Sequence, residues 1–227
     1  MIRKIKRKET KNKSNNKYCR QKLKAESRKL NAPKKMINIV LFGPPGSGKG
    51  TQAQNLIEKF NLKQISTGDL FRYNMKNDTE LGKLAKSYID KGELVPDQVT
   101  IDMLIDEVRK PTETAGFIFD GFPRTAAQTE ALENIVKEEL NDDISVCLSL
   151  VVEDETLVQR LLKRGETSGR TDDSNEEIIR NRIKEYYAKT AEVAELYKQQ
   201  GKYVEVNGVG EIDEISQKLY AEVEKIK

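Results

Sequence analysis

The 227-residue chain has no histidine, no tryptophan and only two cysteines, and no apolar run approaches the ~18 residues that a membrane-spanning helix needs. Each absence excludes something. Without histidine, no imidazole can serve as a general base. With Cys19 and Cys147 far apart, there is no disulfide framework and no clustered zinc motif, so a reducing, cytoplasmic setting is expected. The N-terminus lacks the apolar core of a secretory signal, and no membrane partner is expected.

Charge is present in abundance but unevenly. The net charge of +3 combines a tail, 1–35, in which 15 Lys/Arg face only Glu9 and Glu26, with a remainder in which acids outnumber bases by ten. Nucleic-acid binding is therefore not implied for the main part of the chain. The tail has few apolar positions at any regular period, too few to offset the entropy of ordering, and is expected to be disordered. It could touch nucleic acid or an anionic surface, serve as a targeting segment, or do nothing.

From residue 36 onward, strand-like and helix-like stretches alternate, and the length suits one well-buried α/β domain with small insertions. Strands are expected at 36–42, 64–66, 116–120, 144–151 and 202–206. Continuous apolar runs separated by helices predict a parallel sheet covered on both faces. Helices are expected at 49–60, 68–76, 79–91, 97–109, 125–138, 153–163, 176–199 and 211–226. In the longest, Ile179, Ile183, Tyr187, Thr190, Ala194 and Tyr197 fall on one face, which predicts a core stripe. Two places interrupt the rhythm. The all-helical stretch 67–109 is longer than one crossover requires and suggests an inserted flap. The polar, glycine-hinged stretch 164–173 between two helices suggests a short mobile lid.

The chemistry centres on Gly43-Pro44-Pro45-Gly46-Ser47-Gly48-Lys49-Gly50-Thr51, directly after the apolar run 37–42. A strand, a glycine-rich loop, a lysine and a helix make a phosphate cradle: backbone N–H groups turn inward around an anion, the helix presents its positive end, and Lys49 adds a mobile charge. The Ser/Thr that usually follows the lysine is Gly50 here, with Thr51 one residue later, which weakens any direct hydroxyl ligation of magnesium. Alone, the loop indicates only nucleoside triphosphate binding.

Ile118-Phe119-Asp120 is an apolar strand ending in a carboxylate. Beside the cradle, Asp120 makes sense as a magnesium partner, direct or through water. In isolation, such an aspartate can be merely a turn former.

The chain resembles the adenylate kinases of the nucleoside monophosphate kinase family. The likeness rests on Gly-Pro-Pro-Gly-Ser-Gly-Lys-Gly-Thr-Gln (43–52), Ile-Ser-Thr-Gly-Asp-Leu-Phe-Arg (65–72), Asp-Gly-Phe-Pro-Arg-Thr (120–125) with Gln128, and Lys-Arg-Gly-Glu-Thr-Ser-Gly-Arg-Thr-Asp-Asp (163–173). It covers 36–227 and implies a three-layer P-loop α/β fold with a five-stranded parallel sheet, a helical flap at about 66–95 that binds the monophosphate, and a short lid at about 164–174. The implied reaction is reversible transfer from Mg-ATP to AMP, giving two ADP.

By that resemblance, Gly46, Ser47, Gly48, Lys49, Gly50 and Thr51 hold ATP, Arg160 and Arg164 lie against it from the lid side, and its adenine rests on backbone near Gly210. Thr67, Arg72, Glu93, Leu94, Val95, Gly121, Phe122, Pro123, Arg124 and Gln128 bind AMP, joined by Arg170 and Arg182. Catalysis would fall to Lys49, Arg124, Arg160, Arg164, Arg170 and Arg182. An extra residue near Ser174-Asn175 leaves Arg182 the loosest carry-over. The lid lacks the long insertion that carries zinc ligands in some relatives, and residues 148–227 contain no His or Cys, so no zinc is expected.

The residues support the same chemistry independently. Phosphoryl transfer between two nucleotides brings anionic tails together, and arginine forks match phosphate oxygens. A dianionic AMP phosphate, with a second pKa of about 6, attacks without a general base. Thr67 and Gln128 are of the adenylate rather than the uridylate/cytidylate type. The rivals are a UMP/CMP kinase and a P-loop binder that has lost transfer. A monomer acting on small nucleotides is expected.

Overall fold

The computed structural model describes residues 35–227; the expectations for the basic tail fall on 1–34, outside the described residues. Among the described residues the strands are β1 (Ile37–Phe42), β2 (Lys63–Ser66), β3 (Gly116–Asp120), β4 (Val146–Val151) and β5 (Tyr203–Asn207). The helices are α1 (Lys49–Phe60), α2 (Thr67–Lys76), α3 (Glu80–Ile89), α4 (Asp97–Val108), α5 (Ala126–Leu140), α6 (Asp154–Ser168), α7 (Glu176–Gln199) and α8 (Ile212–Glu224). All pairings are parallel, in the order β2-β3-β1-β4-β5. The α/β sheet of five parallel strands matches the sequence expectation.

The order follows from the apolar runs. Strand β1 is buried along its whole length because helices cover both of its faces. Its side chains alternate between two cores. Ile37, Ile39 and Leu41 pack with Ala53, Leu56 and Phe60 of α1 and Ile215, Leu219 and Val223 of α8. Val40 and Phe42 pack with Leu104, Leu132, Val136, Val193 and Tyr197 on the opposite face. Truncating a fully buried member such as Leu104 to Ala would cost ~2–5 kcal/mol. The three helices α2, α3 and α4, with the connection between the last two, carry a small cluster of their own, Phe71, Ala85, Val95 and Met103.

Two expectations need correction. The helix before the polar stretch was expected to end at 163, but α6 runs on to Ser168 and is closed by Gly169 in the left-handed region, so only residues 169–175 separate it from α7, with a short 3-10 turn at Thr171–Asp173. Gly165 is therefore not a hinge. A Cβ there would lie 2.4 Å from the Asp173 carbonyl oxygen, so the glycine permits close approach. The second correction concerns Tyr187, which is 48% exposed and donates from its hydroxyl to Asp154 Oδ1 (2.8 Å). The stripe passes instead through its half-buried neighbour Tyr186, which packs against Phe42.

Candidate functional site

Ligands of open parallel sheets collect beyond the carboxyl ends of the strands, where connections depart in opposite directions. Here β1 leads towards β2 on one side, while β4 leads to β5 on the other. The segments following β1 and β3 lie side by side, with Leu41 in register with Asp120. Beyond them is a cavity of about 400 Å³.

One wall is the loop after β1. Gly46 and Gly48 adopt positive φ (83° and 97°), a conformation that side chains resist. Helix α1 begins at Lys49 with no side-chain cap and no acid in its first turn. Elsewhere the helix starts are occupied: α2, α3, α5 and α7 are capped by Ser66, Thr79, Thr125 and Asn175, and the uncapped α4, α6 and α8 carry acids in their first turns. The first N–H groups of α1 thus remain available to an anion. Ser47 Oγ is buried beside them without a hydrogen-bond partner. Lys49 Nζ donates to the Gly43 and Pro44 carbonyls (2.8 and 3.0 Å). Burial pushes its pKa down to about 8; nearby Asp120 pulls it upward, while Arg124, Arg182 and Arg164 push it down further.

The facing wall is made of guanidinium groups. Arg72, Arg124, Arg160, Arg164, Arg170 and Arg182 line the same cavity as Lys49. Arg124 Nε donates to Gly121 O (2.7 Å), and its pKa is pushed down to about 10 by burial first and by Arg182 next. Arg160 donates through both terminal nitrogens to Gly208 O (3.2 Å). Several arginines are held by carboxylates. Asp69 pairs with Arg72 (2.6 Å) and Arg170 (3.6 Å). Asp173 accepts from Arg164 Nε and Nη2 (2.7 and 3.0 Å) and from Arg182 Nη1 (2.6 Å), and Arg182 also meets Asp172 at 2.9 Å. Burial alone would raise the Asp173 pKa, but the hydrogen bonds and charges of Arg164 and Arg182 hold it below the usual carboxylate range.

The remaining expected residues take distinct places. Thr67, Glu93, Leu94, Val95, Gly121, Phe122, Pro123 and Gln128 line the cavity, as do Gly46, Gly48, Gly50 and Thr51. Thr67 Oγ1 donates to Gly121 O (3.0 Å). Ser47 and Gly210 are not among the lining residues; Gly210 lies past β5 with φ 129°, two residues beyond the carbonyl that Arg160 meets. Sequence reasoning missed Asp69, Asp172 and Asp173 as arginine partners and Asp97 as the partner of Gln128 (2.7 Å). It also missed Tyr186 and Thr190, which line the cavity from α7. The motifs had carried Asp69, Asp172 and Asp173 without giving them a task.

Asp120 is the one carboxylate at the strand ends that fits the magnesium expectation. It is 9% exposed, lines the cavity and accepts from Gln64 Nε2 at 3.0 Å. Among the described residues no group of three or more His, Cys, Asp or Glu is placed to hold a metal ion. An ion held at Asp120 would draw its other ligands from phosphate oxygens and water, which suits a small hard cation that keeps part of its hydration shell.

The family model described as "Adenylate kinase" matches residues 41–202. A protein of that name from Flavobacterium psychrophilum is 57% identical over 184 residues, covering 81% of this chain and 96% of the relative. Its namesake from Flavobacterium johnsoniae is 53% identical over 191 residues (84% and 100%), and that from Phocaeicola vulgatus is 50% identical over 191 residues (84% and 100%).

Proposed function

The chain belongs to the adenylate kinase family, and on that premise we propose how its residues carry out the family's reaction, the reversible transfer of a phosphoryl group from Mg-ATP to AMP to give two ADP. The observation that carries the proposal is the convergence of one lysine and six arginines on a single cavity that the start of the uncapped helix α1 and Gln128 also line.

The ATP phosphates lie in the loop of Gly46, Ser47, Gly48, Lys49, Gly50 and Thr51, with Arg160 and Arg164 across from them. Asp120 would hold Mg2+, whose charge would offset that of the phosphate oxygens. AMP sits between Thr67, Arg72, Val95 and Gln128, its phosphate directed by Arg124 and Arg72 towards the terminal phosphate of ATP. The AMP phosphate is the nucleophile and needs no base, which suits a chain without histidine. What the protein contributes is alignment and neutralisation: Lys49, Arg124, Arg170 and Arg182 offset charge on the phosphoryl group in flight. Residues 66–95 act as the acceptor flap and 164–174 as the lid. They already touch at Thr171 Oγ1 and Asp90 Oδ1 (3.2 Å), and their closure excludes the water that would divert transfer to hydrolysis. A cytoplasmic setting is supported by its nucleotide substrates, and among the described residues no helix is long and apolar enough to cross a membrane.

A coupled assay with ATP and either AMP, UMP or CMP tests the whole. AMP is expected to be the preferred acceptor. Faster turnover with UMP or CMP would assign the site to pyrimidine monophosphates, and no turnover with any acceptor would leave a nucleotide binder.

A further inference from the structure

Gln128 is 2% exposed and lines the acceptor end of the cavity, so the sense in which its carboxamide points decides what it can read. An amide turned by 180° keeps its shape but exchanges donor for acceptor. At most positions the neighbours tolerate either sense. Here they do not.

Gln128 Oε1 accepts from the backbone N–H of Arg124 at 2.8 Å, and a backbone N–H can only donate. Gln128 Nε2 donates to Asp97 Oδ1 at 2.7 Å, and a carboxylate can only accept. Turning the amide over would set N–H against N–H and oxygen against oxygen, losing two hydrogen bonds at a buried group. Asp97 is itself fixed. It opens α4, where the helix N-terminus favours a negative charge, and its Oδ2 accepts from Thr125 Oγ1 at 2.9 Å. Thr125 Oγ1 in turn caps α5 by accepting from Gln128 N (3.2 Å). Asp97, Thr125 and Gln128 close a ring that ties α4 to α5.

With those bonds made, Gln128 has one N–H and one oxygen lone pair left. A donor beside an acceptor complements a purine edge that offers an unprotonated N1 and a 6-amino group. A 6-oxopurine offers the reverse, an N1–H and an O6. Resting on the reading that AMP is the acceptor, we propose that Asp97 is a specificity-determining positioning residue: together with the Arg124 N–H, it locks Gln128 in the sense that reads a 6-aminopurine monophosphate and rejects a 6-oxopurine one.

The test compares kcat/KM for AMP and for IMP, which differ at this edge alone, in the natural protein and in Asp97→Asn and Asp97→Glu. Asparagine can turn either its donor or its acceptor towards Gln128, so the flipped amide recovers one bond. The AMP:IMP ratio should then fall about ten-fold, chiefly through a lower KM for IMP, with KM for AMP rising about three-fold. Glutamate keeps an acceptor and should hold the ratio near that of the natural protein. If thermal melting shows that Asp97→Asn does not fold, Asp97→Ser, whose hydroxyl also donates or accepts, takes its place. An unchanged ratio in a folded Asp97→Asn overturns the proposal, as does an equal fall in both variants, which would mark Asp97 as mere support. Failure of the natural protein to phosphorylate AMP would instead overturn the acceptor reading on which the proposal stands.

Discussion

The loop 43–51 and the arginine wall opposite it prepare for the same anions by different means. The loop offers backbone N–H groups at a helix start with no side-chain cap, plus one lysine resting on its own carbonyls. Its binding groups are fixed by backbone conformation and need little rearrangement. On the wall, Arg72, Arg164, Arg170 and Arg182 are all engaged by Asp69, Asp172 or Asp173. A phosphate arriving there must share or replace a carboxylate, so binding at the wall is an exchange of partners. The carboxylates also let mutually repelling cations sit close together, a repulsion visible in the lowered pKa of Arg170 beside Arg72 and Arg164, where burial is the larger cause.

Four measurements break or sharpen this contrast. The largest effect is expected for Arg124→Ala. One charge clamp in phosphoryl transfer is worth ~10³-fold or more, so kcat should fall by that order while the melting temperature stays near that of the natural protein; full activity would remove Arg124 from the mechanism. Next is Asp173→Asn, which leaves two guanidinium groups short of a partner. Removing one member of a fully buried pair costs ~3–5 kcal/mol; with Arg164 37% exposed, about 2 kcal/mol is expected, or roughly 4–8 °C in melting temperature. Since the folded Asp173 pKa lies below its unfolded value, the stability it contributes is present above about pH 4 and lost as pH falls through the folded pKa. The loss of stability on acidification below about pH 4 should accordingly flatten in the variant, and an unaltered acid profile would refute the pairing.

A third, smaller effect separates the two walls by pH. Between about 8 and 10.5 the unfolded chain holds a proton that folded Lys49 has lost, so this group makes the ligand-free protein more stable as pH rises through that window. Triphosphate favours the ammonium, so ATP binding should take up a proton and weaken by up to about ten-fold from pH 7 to 9. Arg124, at about 10, stays charged over that range, and KM for AMP should move far less. Parallel rises in both KM values would erase the distinction. The smallest effect is expected from deleting residues 1–35. The curated relatives are covered over 96–100% of their own length by 81–84% of this chain, so kinetic constants should be unchanged; a collapse in activity would make the tail part of the working unit.

Much of this was legible in the sequence because it is local. The run 37–42 followed by glycines and Lys49 specifies strand, loop and helix within some twenty residues, and the strand-end Asp120 is visible in the same way. What could not be read depends on distant partners. Asp97 follows a proline at the head of an apolar run and reads as an ordinary helix start; nothing nearby indicates that it reaches Gln128, 31 residues later. The end of α6 was misjudged because glycine suggests a break, and only the packing of Asp173 on Gly165 shows why it does not make one there. Tyr186 and Tyr187 present the same side chain at adjacent positions, and the choice between core and surface was settled by the aromatic neighbour Phe42, far away in sequence.

The contact between Gly165 and Asp173 has a mechanical consequence. Backbone touching backbone, together with the two-pronged grip of Arg164 on the same aspartate, makes the end of α6 and the turn after it one stiff paddle. If this piece swings during turnover, its fulcrum lies outside it. A side chain at position 165 would wedge the blade apart, so even alanine there should slow the stroke while leaving the sheet untouched.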